Sequence, residues 1–148
     1  MGHLVADYIS ELDVLFNRIR RVFFLETEKR LAAAGYADLA PAAARALIPI
    51  TREGALPLST LAAELGLHKA TVTSLAKRLE KAGYVNRKAD EEDGRVFYLE
   101  LTERGRSAAG IVESVIADVS AKAFGNVTTD DWAALRRTLF QIIENLCE

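Results

Sequence analysis

"LAAELGLHKATVTSLAKRLEKAGYV", residues 61–85, holds the pattern from which the architecture follows. Two apolar-periodic runs meet at Gly66, and the second opens on short hydroxyls and amines. Thr and Ser are mediocre inside helices, and Thr is stiff at χ1, so stability alone does not select "KATVTS". Val72, Leu75, Leu79 and Ala82 recur at helical steps and predict one inward face. Lys69, Ala70, Thr73, Ser74, Lys77 and Lys81 then lie on the outer side, and Gly83 predicts the helix end. Before it, "LSTLAAELG" predicts a short helix with Ser59 as N-cap and Gly66 as its stop. Gly66 permits a tight reversal, and Leu67 is expected to plug the angle between the two helices.

Outward from this pair, "YVNRK" and "RVFYLELT" are β-prone runs separated by "ADEEDG", which predicts a hairpin with a polar, acidic tip. Phe97, Leu99 and Leu101 share one of its faces. Thr102 is placed to cap a helix over about 103–124, and "GNVTTDD" predicts a turn before a last helix. In that helix Trp132, Leu135, Leu139, Ile142, Ile143 and Leu146 form a broad apolar stripe. Upstream, residues 4–33 predict one long helix. Val5, Tyr8, Leu12, Leu15, Ile19 and Val22 form its stripe, widened by Ile9, Phe16 and Phe23. Gly35 ends it, "PAAARALIPI" starts a second helix that Pro49 should end or kink, and "TREGALP" predicts a turn.

With 148 residues, half of them hydrophobic and 27% charged, the chain has the balance of one globular domain or two intimate lobes. No apolar run approaches the ~18 residues of a membrane span. The N-terminal stretch carries acids where an export signal would be basic and then apolar, and a single Cys makes no internal disulfide. A reducing, cytoplasmic location is therefore expected. The formal net charge of −2 conceals an uneven distribution. Residues 67–88 hold six basic side chains against one acid, a net of +5, whereas residues 107–148 net −3. A basic island on a neutral-to-acidic body fits a protein that meets phosphates with one face.

The order helix, short helix, helix, hairpin is that of a winged helix-turn-helix, in which the second helix of the pair enters the DNA major groove. Thr and Ser hydroxyls exchange hydrogen bonds with bases and phosphates, a Thr methyl packs on thymine, and Lys reaches guanine acceptors. Residues 58–106 moreover closely resemble the signature region of the MarR family of bacterial transcriptional regulators. "ATVTSLAKRLEKAGYV", the wing "RKADEEDGR" with its Asp-x-x-Asp-x-Arg spacing, and "LTERGR" carry that resemblance in order.

The resemblance implies a mainly α fold with a small β-hairpin wing. Residues 1–36 and 107–148 would supply long dimerisation helices and residues 37–106 the winged helix-turn-helix, in one intertwined domain. It implies a homodimer on a pseudo-palindromic double-stranded operator, acting as a repressor released by a small aromatic or anionic effector. Lys69, Thr71, Thr73, Ser74, Lys77 and Arg78 match the recognition surface. Arg95 matches the wing Arg that enters the minor groove, and Asp93 matches the Asp that braces it. Arg87 joins the set, although with Lys88 it equally reads as a strand-edge charge that deters edge pairing. Thr71 equally suits the amides of its own first turn, and Arg78 an ion pair with Glu80 or Glu64. Phe16, Arg20, Phe23, Tyr36 and Arg45 are candidate walls of an effector site, with core packing the alternative for both Phe residues.

The chain departs from the family pattern at three places. His68 stands where Ser is often the cap, and His is a poor N-cap. Pro49 interrupts the helix that lines the family's effector crevice. The first helix lacks the Cys of the peroxide-sensing branch, and Cys147 reads as a small buried hydrophobe. His3, His68 and Cys147 make no coherent metal set, and no cofactor is expected. An enzyme is not expected either: no nucleophile–His arrangement, Gly-rich phosphate loop or apolar carboxylate pair is present. The alternative function is a winged-helix module that binds protein instead of DNA, for which the +5 island would be unnecessary.

Overall fold

The computed structural model describes residues 2–147, with side-chain surroundings from residue 8 onward. Val5 and His3 therefore lie outside the residues whose side chains are described. In chain order the elements are α1 (Gly2–Ala33), α2 (Pro41–Glu53), β1 (Ala55–Pro57), α3 (Leu58–Leu65), α4 (Lys69–Lys81), β2 (Val85–Ala89), β3 (Phe97–Leu101), α5 (Glu103–Phe124) and α6 (Thr129–Cys147). One core joins α1 to α5, centred on α2, α4, the sheet and one face of α5, and α6 contributes nothing to it. The mainly helical fold with a hairpin wing is the expected one.

The α3–α4 pair forms as its glycines dictate. Gly66 adopts φ 61°, ψ 35° and caps α3, and Leu67 N–H reaches back to the Ala62 carbonyl at 3.0 Å. Gly83, at φ 78°, reverses the chain after α4. Val72, Leu75, Ala76 and Leu79 are buried. Leu67 is not the plug it was expected to be. It is 39% exposed.

Three further expectations are corrected upstream. Pro49 does not end α2, which runs through it to Glu53. A mid-helix Pro costs about 3 kcal/mol, but α2 buries Leu47 and Ile50 completely, each worth roughly 1.5–3 kcal/mol. Thr51 reinforces the turn by donating its hydroxyl to the Leu47 carbonyl at 2.8 Å. "ALP", expected within a turn, is a third strand: β1 pairs antiparallel with β3 (Leu56 opposite Leu99), giving the order β1-β3-β2. Ser59 does not cap α3, because the helix begins two residues earlier than a Ser59 cap would set it, at Leu58 behind extended Pro57.

Thr102 caps α5 as expected, accepting from Gly105 N–H at 3.0 Å while donating to the Gly83 carbonyl at 2.6 Å. Two hydrogen bonds on one hydroxyl tie the end of α4 to the start of α5. The approach is so close that a Cβ on Gly105 would lie 2.0 Å from the Tyr84 carbonyl oxygen. On α5, Ala108, Ala109, Val112, Val115 and Val119 face the core. The far half of α1 packs on α5 through Thr27 and Leu31. Glu26 adds a clasp, accepting from Lys122 at 3.0 Å and from Arg30 at 3.1 Å.

The outer helices look different. Tyr8, Ile9, Leu15, Phe16, Ile19 and Val22 of α1 are exposed, as are Trp132, Leu135, Phe140, Ile143 and Leu146 of α6. No residue of α6 is buried. Cys147 is likewise exposed, which corrects its reading as a buried hydrophobe.

Candidate nucleic-acid interface

On α4 the inward Val, Leu and Ala residues leave Lys69, Thr71, Ser74, Lys77 and Arg78 exposed along one side, with Thr73 half-buried. His68 precedes the helix in extended geometry and makes no side-chain cap, as expected for His. Thr73 donates its hydroxyl to the Lys69 carbonyl at 2.9 Å. Its oxygen keeps its acceptor capacity and its methyl its apolar contact. Arg78 does not pair with Glu64, whose carboxylate is held by Arg52 at 2.7 Å.

The hairpin places its charges by strand alternation. Lys88, on one face of β2, is paired with Glu100 of β3. Arg87, on the other, lays its guanidinium 3.7 Å from the centroid of the Phe97 ring, and its shielded Nε has no hydrogen-bond partner. At the tip, Asp90 accepts from the Glu92 and Asp93 amides at 2.9 Å each, and these bonds hold its carboxyl below the usual carboxylate range. Asp93 accepts from the Arg95 amide at 3.0 Å, whereas its contact with the Arg95 guanidinium is 3.9 Å. The bracing expected of Asp93 thus acts mainly through the backbone. Arg95 itself projects with 95% of its side chain exposed. Asp90, passed over among the expected site residues, is the turn's main organiser; the Asp-x-x-Asp spacing already held that signal.

The recognition helix and the wing meet in a groove of about 210 Å³ that collects Lys69, Thr73, Arg87, Arg95 and Phe97, with Ser59 at its edge. Thr71, Ser74, Lys77, Arg78 and Asp93 lie outside it. A second constellation, absent from the expected site residues, fixes α4 and the wing to the body. Tyr84, fully buried, donates to Asp38 at 2.8 Å, and Arg104 reaches the other oxygen of that carboxylate at 2.8 Å. Burial, with Asp38 beside it, pushes the Tyr84 phenol up to about 12. The Tyr84 hydrogen bond and the Arg104 charge hold Asp38 below the usual carboxylate range.

Phe16, Arg20, Phe23 and Arg45 converge on a cavity of about 340 Å³ between α1, α2 and α5. Tyr36 does not join them: it packs against Tyr84 at a ring separation of 6.4 Å. Sequence reading missed the third wall, Ile116, Val119 and Ser120, because nothing local shows which part of α5 returns to α1. Buried Thr27 adds a hydroxyl to the lining.

This helix pair, its Gly66 reversal and its three-stranded wing define a winged helix-turn-helix chain. Residues 39–97 match the MarR family model. The chain is 33% identical to the HTH-type transcriptional regulator SarZ of Staphylococcus epidermidis over 87 residues, 57% of this chain and 56% of that one. It thus spans little more than half the length of that curated relative. The structure of reduced AbfR bound to DNA superimposes with a TM-score of 0.78 at 23% identity over the whole of both chains. A mutant MarR from E. coli complexed with operator DNA gives 0.77 at 20% identity over 92% of this chain and 96% of that one. Residues 39–97 thus carry a MarR-family region. No described helix is long and apolar enough to cross a membrane.

Proposed function

We propose that the chain is a homodimeric, sequence-specific, double-stranded DNA-binding transcriptional regulator of the cytoplasm, a repressor released by a small aromatic or anionic effector. The observation that carries this reading is charge left unneutralised on one face. Among the described residues no carboxylate lies within salt-bridge distance of Lys69, Lys77, Arg78 or Arg87, cations of the basic stretch 67–88, in which Lys88 is paired with Glu100. A protein-binding face has no need of such a set, and duplex phosphates do. The DNA-bound forms of AbfR and E. coli MarR support it by likeness of fold. In this reading α4 lies in the major groove, Thr71, Thr73 and Ser74 face base edges, Lys77 and Arg78 meet phosphates, and Arg95 follows the minor groove.

Residues 1–36 and 107–148 serve dimerisation, because the exposed apolar faces of α1 and α6 have no cover within one chain and a second copy supplies it. Two wings then address half-sites about one helical turn, ~10 bp, apart. The cavity beside Arg20 and Arg45, walled by Phe16 and Phe23, suits an aromatic anion. A ligand that prefers the geometry unable to bind DNA lowers operator affinity by its differential affinity for the two states.

Selection of bound sites from random duplexes, followed by binding titrations at about 50 and about 200 mM salt, tests the reading. A pseudo-palindrome whose affinity falls steeply with salt is the expected result. A chain that sediments as a monomer, or leaves every duplex unbound at low salt, overturns it.

A further inference from the structure

The groove between recognition helix and wing has a composition that base reading does not need. We infer that it is a built socket for one backbone phosphate of the bound duplex, with Arg87 and Lys69 as its cations and Phe97 as the platform that positions Arg87. This rests on the DNA-binding reading above and refines it.

Three observations converge on the socket. The two cations of β2 have opposite fates: Lys88 is neutralised by Glu100, whereas Arg87 has no carboxylate partner among the described residues. The Arg87 guanidinium sits 3.7 Å over the face of Phe97, which attracts the cation without cancelling its charge and removes rotamer freedom before any ligand arrives. Its Nε is shielded and unpartnered, so the planar group is already partly stripped of water. Lys69 from the first turn of α4 borders the same volume of about 210 Å³, and no acid lines it. An anion of tetrahedral oxygens, contacted by a planar fork on one side and an ammonium on the other, fits that chemistry. A base edge, which needs matched donors and acceptors, fits it less well. By clamping a phosphate between α4 and β2, the socket sets the register in which Thr71 and Ser74 meet the bases.

The test uses the full chain and its selected operator, measured by fluorescence anisotropy. Arg87→Gln should weaken binding about tenfold and lower the slope of log K against log salt by roughly 0.9. Phe97→Leu should weaken binding while keeping the slope, because the charge stays and only its position is lost. Phe97→Tyr should restore wild-type affinity. A methylphosphonate scan along one half-site then locates the phosphate: at one position the neutral linkage should weaken the wild type and leave Arg87→Gln unaffected. Loss of affinity at every position in both proteins, or an unchanged slope for Arg87→Gln, overturns the socket. So does inorganic phosphate occupying it without DNA and competing with the duplex at constant ionic strength, since that marks a free-anion site. Arg87→Lys, which retains charge and fold but not the stacked fork, should keep the slope with weakened affinity. If the wild type binds no duplex, the DNA reading itself fails; if it binds and the scan is flat, only the socket does.

Discussion

Gly105→Ala sets two physical effects of opposite sign against each other within one helix. Position 105 is inside α5, where Ala is preferred to Gly by about 1 kcal/mol on propensity alone. Packing opposes this. The added Cβ would lie 2.0 Å from the Tyr84 carbonyl oxygen, 3.0 Å from its carbon and 3.3 Å from Leu101 Cβ. The first two are backbone atoms of a fully buried residue and cannot swing aside, so α5 must shift by about an ångström or more. Overpacking of this kind costs about 1–3 kcal/mol, and a clash with backbone belongs at the upper end. The shift also strains the Thr102 cap, worth about 1 kcal/mol. The balance is a loss of roughly 3 kcal/mol, or about 6–12 °C in Tm for a chain of this length. Thermal and urea unfolding at fixed protein concentration measure it. Gly110→Ala is the internal control: on the same helix with nothing within 4 Å, it should gain up to about 1 kcal/mol. A Gly105→Ala protein as stable as the wild type would refute the account of how α5 docks.

Arg95→Ala removes a side chain with few contacts in the folded chain, so operator affinity should fall about tenfold with unchanged Tm and sedimentation; equal affinity at every salt concentration takes the wing out of the mechanism. Ile143→Glu puts a charge on the exposed apolar face of α6 and should shift sedimentation from dimer toward monomer, without loss of helical signal. A dimer of undiminished affinity would move the interface elsewhere. The Tyr84 phenol is raised from 10.0 to about 12. Its contribution to stability is therefore complete below pH 10 and lost as pH climbs through about 12. Tyr84→Phe should flatten the alkaline limb of the stability profile. Asp38 has the opposite sign: its depressed carboxyl stabilises above the usual carboxylate range and ceases to do so as acid protonates it. Asp38→Asn should remove that acid dependence, and a profile identical to wild type would sink the assignment.

Helices and their ends were legible wherever period and punctuation agreed. α5 was placed over 103–124 because Thr102 supplies a cap and its apolar positions keep step. Gly66 and Gly83 marked their turns because left-handed backbone is cheap only for Gly. The hairpin was legible from alternation and its acidic tip. β1 was not: three residues ending in Pro carry no strand signal, and only β3 alongside makes them one. In the candidate site, the exposed positions of α4 were legible because helical geometry fixes which positions share the outer face. The stack of Arg87 on Phe97 was not, since it joins side chains from two strands.

Local order along the chain was enough to set which segments become helices, where most of them stop, and that a cluster of amines and hydroxyls lies on one exposed side, because these follow from period and backbone sterics. Packing between distant segments settled that α2 continues through Pro49, where buried Leu47 and Ile50 outweigh the local penalty. It also settled that Tyr36 turns to Tyr84 and away from the cavity, and that Arg87 stays free while Lys88 is neutralised. Each of these outcomes depends on a neighbour supplied by another element of the fold, and local propensity contains no information about which neighbour arrives.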